Sequence, residues 1–247
     1  EPSRTPDDCT ETLTCDVLVI GAGVSGSMAA FGAIQGGAKP LIIDKHTTFH
    51  FGGNGASFIN SRHQLEAGLP EYDPFELLYK QFNESQSRAD MALLADWAFQ
   101  SGAICDELIE KVADPYGVPY VYKTEDSFDQ AYELQANYMT GVVFGDLNVD
   151  NYKPFITGLH RYIEDNGGEF RYQVRAEKLV QDETGRVTGV ICSDADGNLV
   201  LVEAPKGVIV CTGSYGHDQK MLQAFCSPMV QRLFTESNIY NSYFDAE

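Results

Sequence analysis

An α/β fold built on a parallel sheet with flanking helices follows from three stretches near the start of this 247-residue chain. The run CDVLVI at 15–20 is apolar and β-branched without alternation, the pattern of a strand covered on both faces, and it ends at Gly21. The next stretch, VSGSMAAFGAIQGG, carries Met28, Phe31 and Ile34 at helical spacing and stops at Gly36 and Gly37, a C-terminal glycine signal. PLIID at 40–44 is a second buried strand, and it ends in an acid. Strand, glycine turn, helix and strand make one βαβ unit of about 30 residues.

The remaining elements follow in order. Residues 1–14 read as a flexible leader. After PLIID comes a glycine-rich loop, FGGNGASFINS, and then a helix with Asp73 as N-cap and Pro74 as first residue, placing Phe75, Leu78 and Phe82 on one face. A second helix repeats Met91, Leu94, Trp97, Ile104, Leu108 and Ile109 every three or four residues, which marks them as core. Residues 113–148 are tyrosine-rich and acidic without a period, so an irregular stretch is expected there. A third helix, NYKPFITGLHRYIEDNGG, puts Tyr152, Phe155, Leu159 and Ile163 on one side and stops at Gly167. Short strands EFRYQV, GRVTGVICSD and ADGNLVLVEA form a meander, the last two joined around Asp196 and Gly197. Finally GVIVCTGSYG repeats the opening design, an apolar strand running into a glycine turn. The organisation predicted is a leader, then one domain over 15–247 with a helical insertion at about 70–165.

Charge and composition exclude several classes. Lys and Arg total 17 against 36 Asp and Glu, a net charge of -19, so attraction to a phosphate backbone works in reverse and nucleic acid is not an expected partner. No apolar run reaches the roughly 18 residues of a membrane span. The six cysteines contain no C-x-x-C pair, and His46, His50, His63, His160 and His217 lack metal-ligand spacing, so no metal is expected. Ser25 and Ser57 have no base nearby in sequence, and the carboxylates Asp7, Asp8, Asp194 and Asp196 fall in leader or turn. No catalytic residue is named. A first residue other than Met fits a processed or an engineered N-terminus; it leans toward export to a bacterial cell envelope, with a cytoplasmic location as the alternative.

The glycines carry the chemistry. Gly21, Gly23 and Gly26 form G-x-G-x-x-G after a buried strand and at the opening of a helix, with Asp44 18 residues after Gly26 at the end of the next strand. Gly21 allows a tight turn, Gly23 lets backbone approach a pyrophosphate, and Gly26 permits close helix–strand packing, the design of a Rossmann-like dinucleotide site. The N–H groups around Val24, Ser25 and Gly26 face the pyrophosphate at the positive end of the helix dipole. Asp44 can accept the ribose hydroxyls, and its charge disfavours a 2′-phosphate. NAD and FAD both remain as ligands at this point. Ala30 and the glycines closing the helix fit the longer flavoprotein form of the fingerprint.

From Ala176 to Gly213 the meander and the return strand ending CTG resemble the FAD domain of the fumarate reductase and succinate dehydrogenase flavoprotein family. That family's turn reads Ala-Thr-Gly-Gly where this chain has Cys211, Thr212, Gly213 and Ser214. FGGNGASFINS resembles the family's second flavin loop, although Asn60 and Ser61 stand where a further glycine pair is usual. The resemblance implies FAD as cofactor, held by Gly21, Ala22, Gly23, Val24, Ser25, Gly26, Asp44, Lys45, Gly53, Asn54, Gly55, Ala56, Ser57, Thr212 and Gly213, with Ala176 contributing backbone beside the adenine. It implies an FAD-dependent oxidoreductase that reduces an activated C=C bond of an unsaturated acid or similar small molecule, or runs the reverse dehydrogenation. It also implies an incomplete domain, with the substrate acids and bases in a capping segment beyond this chain, and an electron-donor protein as partner. INSRHQLEAG resembles an export-associated reductase subgroup of anaerobic bacteria. Two other readings stand beside this one: a non-catalytic nucleotide-binding or interaction domain, and an NAD-dependent dehydrogenase.

Overall fold

Two parallel apolar strands, Val17–Ile20 and Pro40–Asp44, are the central pair of one sheet in the computed structural model, in register from Val17 against Pro40 to Ile20 against Ile43. The structure describes residues 4–49, 56–122, 141–144, 153–213, 215, 218–229 and 231, with 56, 57, 141 and 143 described in backbone only. In chain order the elements are β1 (Glu11–Thr14), β2 (Val17–Ile20), α1 (Val24–Gln35), β3 (Pro40–Asp44), β4 (Ala56–Ser57), α2 (Arg62–Glu66), α3 (Pro74–Glu84) and α4 (Met91–Leu108). A π-helical turn, Ile109–Ala113, follows, then α5 (Asp114–Tyr116), β5 (Tyr120–Tyr122), β6 (Gly141–Phe144), α6 (Lys153–Asp165), β7 (Glu169–Tyr172), β8 (Arg175–Gln181), β9 (Val187–Ser193), β10 (Leu199–Glu203), β11 (Gly207–Val210) and α7 (Gln219–Phe225). Contacts divide the chain into two units, one of Glu1–Gly52 with Ile163–Glu247 and one of Gly53–Tyr162.

The first unit holds two sheets. One is parallel throughout, in the order β11-β2-β3-β7. The absence of alternation in β2 and β3 is explained by burial on both faces: Leu18, Val19, Ile42 and Ile43 have lost all or nearly all contact with water. Each such side chain contributes about 1.5–3 kcal/mol by leaving water. The second sheet has the order β1-β10-β9-β8, and its Val190, Cys192, Val200 and Val202 form one cluster with Leu18, Ile20, Leu41 and Ile43. The predicted tight turn joins β9 to β10, with Gly197 at φ +84° and the Asp194 N–H donating to the Asn198 carbonyl at 3.0 Å. On the edge strand β11, Ile209 and Val210 are exposed.

The leader expected over 1–14 is not wholly a leader. Residues 11–14 form β1, parallel to β10 from Glu11 against Val200 to Thr14 against Glu203, and Leu13 packs on the cluster just described. The pairing satisfies backbone groups of β10 that no other strand among the described residues reaches. A strand of four residues that is mostly exposed carries no readable alternation, which is why the sequence did not disclose it.

In the second unit α3 begins at the cap its sequence predicts, and α4 begins at a cap the structure adds. Asp73 accepts from the Phe75 N–H at 2.9 Å and Asp90 from the Ala92 N–H at 2.8 Å. The buried face of α3 is Leu77 and Leu78, packed with Ile59 and Ala98; Phe75, expected on the core face, is exposed against the ring of Phe99 at 5.0 Å. The stretch 113–148, expected to be irregular, contains β5 and β6, which join β4 in an antiparallel sheet of order β4-β6-β5. Phe144 on β6 stacks on Phe155 of α6 at 4.6 Å. Tyr152 lies outside the described residues. Among the described residues no helix is long and apolar enough to cross a membrane.

Candidate dinucleotide-binding site

The site begins where β2 ends. Gly21 has φ +106°, a conformation that an L side chain rarely adopts, and its N–H donates to the Ile43 carbonyl at 2.7 Å. A Cβ on Gly21 would lie 2.9 Å from the carbonyl carbon of Cys211, and one on Gly26 would lie 2.9 Å from the carbonyl carbon of Gly21. Neither position can carry a side chain without backbone movement. The turn is thereby pressed between α1 and the segment that follows β11.

Gly23 is the N-cap of α1, and among the described residues no capping side chain accepts from the first turn. The orphan N–H groups at Val24, Ser25 and Gly26 therefore sit at the positive end of the helix dipole with no internal acceptor from a capping side chain. Ser25 is exposed, while Ala22 and Gly26 are buried. A narrow backbone cradle with uncapped donors fits a pyrophosphate, which brings acceptor oxygens and no side chain of its own.

Asp44, at the end of β3, closes the side of the cradle. Its Oδ2 accepts from the Ala22 N–H at 2.8 Å, and its Oδ1 accepts from the His46 N–H at 2.9 Å and faces His46 Nδ1 at 3.0 Å. The carboxylate side chain is only 11% exposed. Lys45 follows it directly. A backbone seam continues from here: the Val174 N–H donates to the Asp44 carbonyl at 2.9 Å and the Gln173 N–H to the His46 carbonyl at 2.8 Å, with Gln173 at φ +58°. That seam starts β8 beside Asp44 and carries Ala176, paired with Cys192, two residues further on. Tyr172 stands opposite Asp44 in the β3–β7 register, and burial, followed by the charges of Asp44 and Glu164, pushes its phenol up to about 12. At neutral pH that phenol is a donor.

On the far side, the Cys211 N–H donates to the Ile20 carbonyl at 2.8 Å, extending the β11–β2 pairing by one residue before the chain turns through Thr212 and Gly213, the latter at φ +86°. Burial pushes the Cys211 thiol up. The first unit thus assembles Gly21–Gly26, Asp44, the start of β8 and the turn at Thr212 and Gly213 around the end of β2. Of the second loop, Gly53, Asn54 and Gly55 lie outside the described residues. Ala56 and Ser57 form β4 in the second unit, paired with Val142 and Gly141. Among the described residues no group of three or more His, Cys, Asp or Glu is arranged to hold a metal ion.

Two participants had no clear mark in the sequence. His46 touches the carboxylate only because the chain turns back immediately after Asp44, as an acid at a strand end favours. Gln173 adopts a left-handed conformation that nothing in its residue type requests.

A βαβ unit with an uncapped, glycine-lined helix start and an acid at the next strand end defines a dinucleotide-binding domain. The chain belongs to the FAD-binding domain family, whose model matches residues 16–239, and FAD is its cofactor. Its fold is similar to that of 3-ketosteroid-Δ4-(5α)-dehydrogenase from Rhodococcus jostii RHA1 in complex with 4-androstene-3,17-dione (TM-score 0.68, 23% identity, covering 90% of this chain and 50% of that one). It is also similar to a flavocytochrome c3 fumarate reductase in an open conformation (0.66, 20%, 90% and 37%) and to the quinol fumarate reductase of E. coli (0.64, 16%, 84% and 34%). The chain therefore spans half or less of the length of these structures. The expected resemblance to fumarate reductase flavoproteins is met by these neighbours.

Proposed function

We propose that this chain supplies the adenine- and pyrophosphate-binding part of an oxidoreductase that acts on an activated carbon–carbon bond of a small molecule. Gly21, Ala22, Gly23, Val24, Ser25 and Gly26 hold the pyrophosphate through backbone N–H groups, Asp44 and Lys45 meet the adenosine ribose, and Ala176 lines the adenine through its backbone. Thr212 and Gly213 close the opposite side, and 53–57 approach the flavin. When bound, FAD supplies hydride exchange with such a bond; the chain's own residues bind, orient and shield it. The observation that carries the reading is the uncapped start of α1, closed in by the Gly21–Cys211 approach and flanked by the Asp44 carboxylate.

An unsaturated acid or a ketosteroid-like enone is the substrate class, in keeping with the dehydrogenase and fumarate reductases named above. The residues that deliver protons to it lie in a further capping segment, the electrons arrive from a separate donor protein, and residues at about 70–165 act as an insertion in the FAD domain. The family match runs to an FAD model, which disfavours the NAD reading.

Reconstitution tests the binding assignment. The purified chain mixed with FAD and freed of excess should be yellow, with flavin bands and quenched flavin fluorescence. A colourless protein that takes up no added FAD would remove the assignment of these residues. Reduction of a panel of unsaturated acids and enones by the full-length protein, with a reduced viologen dye as donor, tests the substrate class.

A further inference from the structure

The three hydrogen bonds that Asp44 accepts are shared unequally between its oxygens. Oδ1 takes two, from the His46 N–H at 2.9 Å and from the His46 ring at 3.0 Å, whereas Oδ2 takes one, from the Ala22 N–H at 2.8 Å. A ring nitrogen so close to a carboxylate oxygen is favourable as a donor, which assigns the proton to Nδ1. Each carboxylate oxygen offers two lone pairs. Oδ1 is therefore filled, and Oδ2 keeps a single acceptor position.

A ribose diol presents two hydroxyl donors, and a carboxylate that accepted both would need two open positions. We propose that His46 sets the specificity of the nucleotide site by filling Oδ1, so that Asp44 reads one adenosine ribose hydroxyl of FAD and not both. The inference rests on the FAD site described under Proposed function. Its consequence is that the two hydroxyls contribute unequally. Removing the imidazole leaves the backbone N–H of residue 46 on Oδ1 and opens that oxygen's second lone pair, so the carboxylate can then accept both hydroxyls.

The test uses FAD and two FAD analogues, one lacking the 2′- and one lacking the 3′-hydroxyl of the adenosine ribose, titrated into the chain with flavin fluorescence as readout. One analogue should bind within about twofold of FAD, and the other about tenfold more weakly, the loss of one charge-assisted hydrogen bond. In His46→Ala both analogues should fall about tenfold below FAD, because each hydroxyl now has an acceptor. His46→Asn, which keeps a side-chain donor, should preserve the unequal pattern and shows that the effect is the hydrogen bond and not the loss of bulk. Equal losses for the two analogues in the wild type, or an unchanged pattern in His46→Ala, would overturn the role of His46 while leaving FAD binding intact. If FAD itself fails to bind, the nucleotide site is wrong and this inference falls with it.

Discussion

Gly21 and Cys211 meet so closely that a Cβ on the glycine would stand 2.9 Å from the cysteine's carbonyl carbon. The approach joins the turn after β2 to the turn after β11, and it follows from their parallel pairing, which continues through the Cys211 N–H to the Ile20 carbonyl. The two turns that flank the cofactor cradle are thus one packed unit.

Gly21→Ala should destabilise the chain by about 2–5 kcal/mol, combining the cost of a side chain at positive φ with overpacking against backbone. Urea unfolding with an unchanged slope measures it. A shift under about 0.5 kcal/mol, the range of neutral surface changes, would show that the two turns are not tightly packed.

Asp44→Ala should weaken FAD binding by about ten- to a hundredfold, the worth of a hydrogen bond to a charged acceptor. It removes the ribose acceptor and also orphans the Ala22 N–H. Flavin fluorescence titration reads the loss, and an unchanged Kd would place the ribose elsewhere.

Asp16 ties three strands together: its Oδ2 accepts the Lys39 N–H at 2.8 Å and lies 3.2 Å from Lys206 Nζ. These partners, the Lys39 N–H first, hold its carboxyl below the usual aspartate range. A group whose pKa is depressed by folding contributes stability that is present above its unfolded pKa and lost as pH falls through its folded one. Melting temperature should therefore decline as pH drops below about 4, and Asp16→Asn should show a shallower decline over that window with little pH-dependent difference above it. Parallel acid limbs for the two proteins would contradict this linkage.

Phe144→Ala should destabilise the second unit by about 3–5 kcal/mol, since the ring is buried and its loss leaves a cavity. It stacks on Phe155 at 4.6 Å and meets Phe58 edge-on at 6.2 Å. Hydrogen exchange should report faster opening around β6 and α6. Exchange unaltered there would mean that this aromatic cluster does not hold the unit together.

Much of the site could be read before the fold. The G-x-G-x-x-G spacing, the two apolar strands and Asp44 are local signals, and the turn at Asp196–Gly197 forms where its residues ask for it. The cap at Asp73 behaves likewise. Strands β1, β4, β5 and β6 escaped because two to four residues carry no usable period, and each exists only through a partner far away in sequence. Phe75 was misplaced for a related reason: helical spacing gives a face, but which flank of that face is covered depends on what packs against it.

The sequence alone thus determined the βαβ unit, the ligand class of its glycine turn and the acid beside it, because periodicity, turn chemistry and dipole alignment act within a few residues. Only the tertiary structure decided that Cys211 closes the turn at Gly21, that residues 11–14 extend the meander, and that His46 occupies one oxygen of Asp44. Those relations come from sheet register and chain reversal, which bring distant backbone together at hydrogen-bond distance and leave no mark on local composition.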